Sequence, residues 1–173
     1  MSDKHAYTAQ VNWQRGADER FTDNRYSRRH VVRFDGGAQL AGSSSPSVVP
    51  LPYSDAAAVD PEEAFVASIA ACHMLWFLSL AAKAGHVVER YDDSAEGVMT
   101  HNDAGKLWIS RVTLHPRVAF ADGHAPSRTQ LDALLHRAPA ACVIATAGKT
   151  EAVVAARRGA RAPAGVPGPR RRR

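Results

Sequence analysis

Cys72 and Cys142 are the two cysteines of this 173-residue chain. A thiol can act as a nucleophile, form half of a disulfide, or fill space as a small apolar side chain. The pair is seventy residues apart, with no C-x-x-C and no finger-type spacing, so a cysteine-rich zinc site does not fit. Two cysteines in a chain of this size suit a reducing compartment such as the cytoplasm, or one redox pair. Cys72 sits in an alanine-rich apolar stretch and Cys142 beside Val143 and Ile144, so composition alone favours two buried apolar side chains. Spacing does not show whether they meet. A cysteine that attacks a peroxide works as a thiolate, and a nearby cation favours that form. Arg25, Arg28 and Arg29 lie close together ahead of a candidate strand, although a solvated cluster is the ordinary meaning of such a run.

The remaining candidates are weaker. His73 follows Cys72 directly and therefore points about 100° away round a helix, which reads as a satisfied core histidine. The eight histidines form no His-Glu-x-x-His or His-x-His grouping, so no metal site is expected. Trp76 and Phe77 read as core, with the lining of an apolar pocket as the alternative.

The elements that must position these residues follow from local pattern. Tyr7, Ala9, Val11 and Trp13 alternate with polar residues, as in a strand. Residues 30–34 form a second strand, Asp35-Gly36-Gly37 a turn, and residues 38–42 a return strand. Residues 43–60, rich in Ser and Pro, read as an ordered loop. Asp60 can cap a helix, Pro61 suits its first position, and Glu63 completes a capping box. The helix is expected to run from residue 61 to about 84, with Gly85 as its C-terminal stop. It is apolar nearly all round, so it should be covered on most sides. Residues 97–101 and 106–114 flank a hairpin loop, and residues 117–120 extend the sheet past Pro116. Ser127 opens a second helix, which Pro139 disturbs or ends. Residues 150–155 make a last strand. The order implies an α+β fold with an antiparallel sheet.

Charge divides unevenly. The formal net charge is +5, but residues 157–173 hold seven arginines and no acid, which leaves residues 1–156 at −2. The tail is expected to be a disordered Arg/Pro/Gly-rich segment on a mildly acidic body. It lacks interleaved aromatics, so nucleic-acid binding is the weaker reading of its charge. No apolar run follows the N-terminal residues, so no signal peptide is expected. Residues 64–82 are long enough to span a bilayer, yet a central histidine and few leucines favour a helix buried in a soluble core over a membrane span.

One resemblance bears on all of this. Residues 59–74, VDPEEAFVASIAACHM, closely resemble the core motif of the OsmC/Ohr family. Tyr26, Ser27, Arg28 and His30 with the Phe34-Asp35-Gly36-Gly37 turn, Ser43-Ser44-Ser45-Pro46 with Val49-Pro50, and Cys142-Val143-Ile144-Ala145 after a Leu-His-containing helix are similar too. The likeness covers residues 7–155 and is nearer the OsmC-like branch than the organic hydroperoxide resistance branch. It implies a domain over residues 1–156, built as an intertwined homodimer with a long central helix on an antiparallel sheet. It implies a thiol peroxidase that reduces organic hydroperoxides. Cys72 matches the peroxidatic cysteine, Cys142 the resolving cysteine, Arg28 the arginine that stabilises the thiolate, and Glu62 the glutamate that holds this arginine. Arg25 and Arg29 stand as alternatives to Arg28. A dithiol such as dihydrolipoamide is the implied reductant, with no bound cofactor.

Glu62 and Cys72 lie ten residues apart on one helix, roughly 15 Å along its axis. A direct contact within one straight helix is impossible, so Glu62 is expected to serve Cys72 of a partner subunit across a two-fold interface. The sequence departs from the family pattern at Pro139, where this branch often has histidine, and at Val143, where the other branch often has proline. Two competing readings remain: a non-catalytic small-molecule binding protein of the same fold with incidental cysteines, and a nucleic-acid-associated protein acting through its tail.

Overall fold

The computed structural model describes residues 4–146 and 149–155. The expected tail, residues 157–173, lies outside the described residues. The chain forms two compact units, divided between Phe65 and Val66 inside the longest helix.

The first unit carries a three-stranded antiparallel sheet, β1 (Ala9–Asn12), β2 (His30–Phe34) and β3 (Gln39–Gly42), in the order β1-β2-β3. Val11 faces Val32, and Val32 faces Leu40, so β-branched and aliphatic residues align across all three strands. The β2–β3 turn closes on Gly37, whose φ of 84° is the left-handed conformation that glycine adopts without cost. Residues 43–60 are ordered, as expected. Buried Ser43 donates its amide to Val59 O at 3.1 Å, and its Oγ accepts from the Asp55 amide at 3.0 Å.

Helix α1 (Pro61–Lys83) begins as the sequence predicts. The Glu63 amide donates to Asp60 Oδ1 at 2.7 Å, and the Asp60 amide donates to Glu63 Oε2 at 3.1 Å, which is the reciprocal capping box. At the other end Gly85 has φ 82°, with its amide on Ala82 O and the His86 amide on Ala81 O, both at 3.0 Å. That pair of bonds is a Schellman stop.

In the second unit, α1 buries every fourth residue, Ile69, His73, Phe77 and Ala81. Phe77 and Ala81 pack with Leu134, Leu135 and Ala138 of α2 (Arg128–Ala141) to form the core. Burial of a Phe- or Leu-sized side chain contributes about 1.5–3 kcal/mol each. The expectation that α1 is covered on most sides is not met within the single chain, because Leu75 on another face is 62% exposed. By length and composition α1 could cross a membrane. Its buried stripe instead belongs to a packed polar and apolar core.

Strand β4 (Val88–Asp92) pairs antiparallel with β7 (Arg117–Phe120), and β5 (Glu96–His101) pairs antiparallel with β6 (Leu107–Leu114). Strand β4 is not among the elements expected from local pattern. β8 (Glu151–Val154) runs parallel to β6, with Val112 opposite Ala152. This corrects the all-antiparallel expectation. Parallel neighbours need a long crossover, and β7 with α2 supplies it between β6 and β8. The strands also form three separate sheets rather than one: β1-β2-β3, β4-β7 and β5-β6-β8. Pro139 does not end α2, which continues to Ala141 and is followed by the short α3 (Val143–Thr146).

Candidate redox site

Cys72 and Cys142 are joined by a disulfide, with Cα atoms 5.8 Å apart. That spacing is the usual one for a bridged pair. α1 supplies Cys72, half-buried and one residue before the buried stripe position His73. Cys142 is the C-cap of α2 and fully buried. Its amide donates to Pro139 O at 3.1 Å, its Sγ accepts from the Ala145 amide at 3.4 Å, and its carbonyl accepts from the Thr146 amide at 3.1 Å. An amide donor on sulfur favours the thiolate when the bond opens.

His73 is 1% exposed and uses both ring nitrogens. Nε2 lies 3.1 Å from Leu135 O, and Nδ1 lies 2.9 Å from the Tyr91 hydroxyl. A carbonyl can only accept, so Nε2 carries the proton, and Nδ1 accepts from Tyr91 O–H. The satisfied core histidine expected from the sequence is therefore what the structure contains. Burial holds the His73 pKa below its ordinary value, against the opposing pull of the Leu135 carbonyl and the Asp93 charge. Burial, then the charge of Asp93, pushes the Tyr91 hydroxyl up. Asp93 in turn accepts the His115 amide at 2.7 Å. Sequence reasoning missed Tyr91, on β4, and Asp93, just past it, because a register shift between Val88 and Arg90 breaks the two-residue alternation that marks a strand.

The arginines lie in the first unit. The Arg28 guanidinium carbon stands 3.8 Å from the centroid of the Tyr26 ring, and its Nη1 donates to Asn24 O at 2.7 Å and to Tyr26 O. Tyr26 stacks on Phe21 and meets Trp13 edge-on, at centroid distances of 4.6 and 5.4 Å. Trp13 Nε1 donates to Ser27 O at 2.7 Å. Glu19 ties the same loop by accepting the Gly16 and Ser27 amides, both at 2.9 Å, and these bonds lower its pKa. The loop that carries Arg28 is thus built on an aromatic cluster. Arg29 is committed elsewhere, to Asp55 at 2.7 Å. Arg25 forms no ion pair among the described residues. Glu62 is half-buried and makes no ion pair with Arg28 within the chain.

The structure therefore brings Cys72 and Cys142 together and shows no ion pair between Arg28 and Glu62. Among the described residues no three His, Cys, Asp or Glu side chains gather closely enough to hold a metal ion.

A half-buried cysteine bridged to a buried one, on an α+β scaffold with a long helix, defines a class of two-cysteine proteins. The family model described as OsmC-like protein matches residues 54–156. An OsmC-like protein of unknown function from Vibrio cholerae is 46% identical, with a TM-score of 0.86 over 88% of this chain and 99% of that one. The chain belongs to the OsmC/Ohr family. Two more distant structures share the fold. An organic hydroperoxide resistance protein from Elizabethkingia anophelis is 15% identical at TM-score 0.65, covering 92% of this chain and 99% of that one. The organic hydroperoxide resistance protein OhrB of Bacillus subtilis is 14% identical at TM-score 0.57, covering 88% and 98%. Among curated proteins no match is found.

Proposed function

We propose that the chain is a cysteine-dependent peroxidase that reduces organic hydroperoxides in oxidative stress defence. The observation that carries this reading is the Cys72–Cys142 bond, made between a half-buried sulfur and a fully buried one, on two helices. The Cys72 thiolate attacks the distal peroxide oxygen; the O–O bond breaks, the alkoxide takes a proton and leaves as alcohol, and Cys72 becomes a sulfenic acid. The Cys142 thiol then attacks that sulfur, the disulfide forms, and water leaves. A dithiol such as dihydrolipoamide reduces the bond and departs as its own disulfide. Arg28 is the cation for the thiolate, and Glu62 its holder.

A homodimer completes the site in this reading. Two features support it: Leu75 is exposed on α1, and Glu62 makes no ion pair with an arginine among the described residues. Leu75→Glu is then expected to yield a monomer by light scattering and to lose activity; an active monomer would overturn the dimeric site.

The deciding experiment mixes reduced protein with cumene hydroperoxide and counts thiols. Rapid loss of both thiols, abolished by Cys72→Ser, is the expected result. Thiols that survive millimolar peroxide would favour a non-catalytic binding protein of the same fold. Retention on DNA that disappears when residues 157–173 are removed would assign the tail a separate binding role.

A further inference from the structure

Leu135 carries an unusual carbonyl. In an α-helix its oxygen accepts from the amide four residues on, but that residue is Pro139, which has no N–H. The His73 Nε2–H fills the place at 3.1 Å. A buried carbonyl without a donor is costly, and Leu135 is itself 2% exposed. The Leu135 carbonyl can only accept, so it sets the imidazole tautomer, and the Tyr91 hydroxyl at 2.9 Å from Nδ1 satisfies the other ring nitrogen. Pro139 is also the residue whose carbonyl receives the Cys142 amide. One turn therefore links the freed carbonyl, the proline and the buried cysteine. The other end of the link, His73, is the chain neighbour of Cys72.

We propose that His73 is the positioning residue of the Cys72–Cys142 pair, its Nε2–H replacing the amide hydrogen that Pro139 lacks and so holding the last turn of α2, with Cys142, against α1 beside Cys72. The bond crosses from α1 to α2 at the only point along α2 where a proline frees a carbonyl. It joins the two helices independently of the disulfide, so it keeps the thiols near each other when the disulfide is open. Proline three residues before the second cysteine and histidine directly after the first are, in this chain, one device. The device concerns the disulfide itself; only its consequence for turnover rests on the peroxidase reading.

The test is a thiol–disulfide equilibrium with reduced and oxidised dithiothreitol, in which the protein disulfide is reduced as the dithiol closes to its cyclic disulfide. Four proteins are compared with the unmodified chain: His73→Leu, His73→Gln, Pro139→Ala, and His73→Leu combined with Pro139→Ala. His73→Leu is expected to lower the equilibrium constant for the disulfide about tenfold, the scale of one buried carbonyl losing its donor. His73→Gln keeps an N–H donor and should stay within about threefold. In the Pro139→Ala background the residue 139 amide serves Leu135 O, so His73→Leu should cost about threefold or less. An equal cost of His73→Leu in both backgrounds, or no cost in either, overturns the proposal. Should His73→Leu alone fail to fold, a cooperative melt recovered by adding Pro139→Ala supports the link, and no recovery overturns it. No peroxide enters these measurements, so an inert response to cumene hydroperoxide would sink the peroxidase reading and leave this one standing.

Discussion

Cys142 is fully buried, whereas Cys72, its disulfide partner, keeps part of its surface open. The two sulfurs are therefore unequal before any chemistry begins. After reduction, iodoacetamide should modify Cys72 at least about tenfold faster than Cys142, since thiol reactivity follows exposure and thiolate content. Peptide mapping by mass spectrometry reads this directly. In Cys142→Ser, dimedone should trap a sulfenic acid on Cys72 after peroxide treatment. Preferential labelling of Cys142 would reverse the assigned roles.

The three neighbouring arginines separate by their partners. Arg29 is paired with Asp55, and Arg28 is presented on the Tyr26 ring. Arg28→Ala should slow peroxide-driven disulfide formation about tenfold or more by raising the thiol pKa. Arg29→Ala should leave that rate within about twofold and instead loosen the loop around Asp55, at the small scale of an exposed ion pair. Stopped-flow rates of the two variants discriminate them; equal losses would mean that the cluster acts as a whole.

His73 makes stability depend on pH. Burial lowers its folded-state pKa from the ordinary value of 6.5, so the unfolded chain binds the proton more readily. Its contribution is complete above about pH 6.5 and is lost as pH falls through the lower, folded value. Glu19 and Asp55 also have lowered values, through the Gly16 and Ala57 amides first, but from starting values of 4.5 and 3.8, so their loss comes at lower pH. The melting temperature should decline between about pH 7 and pH 5, and His73→Gln should flatten that slope. An unchanged slope in the variant would assign the decline to other groups.

Gly97 on β5 lies against Val66 on α1, where a β-carbon at position 97 would stand 2.5 Å from Val66 Cγ2. Valine is stiff about χ1 on a helix, so it yields little. Gly97→Ala should destabilise the fold by about 1–3 kcal/mol, the scale of overpacking. Adding Val66→Ala should recover part of that loss, because it removes the opposing methyl. Urea titration of the two single variants and the double variant measures the coupling, and strict additivity would rule out the clash.

The parts of this protein that depend on neighbours three to five residues away are written openly in the chain. Asp60 with Glu63 starts α1, Gly85 stops it, Ser127 opens α2, and Gly37 turns the first hairpin, each by a bond across one turn of backbone. The likeness around Cys72 is equally linear, so the family was legible. The parallel seat of β8 on β6, the separation into three sheets and the strand β4 were not, because pairing depends on which distant strand is available and local pattern carries no such information. The Cys72–Cys142 bond closes seventy residues, and His73 finds Leu135 across sixty-two. The sequence by itself determined the helix ends, the turns and the identity of the two sulfurs. Only the tertiary structure decided that the sulfurs meet, and that a histidine supplies the hydrogen a proline withholds, since both facts arise where separate elements pack.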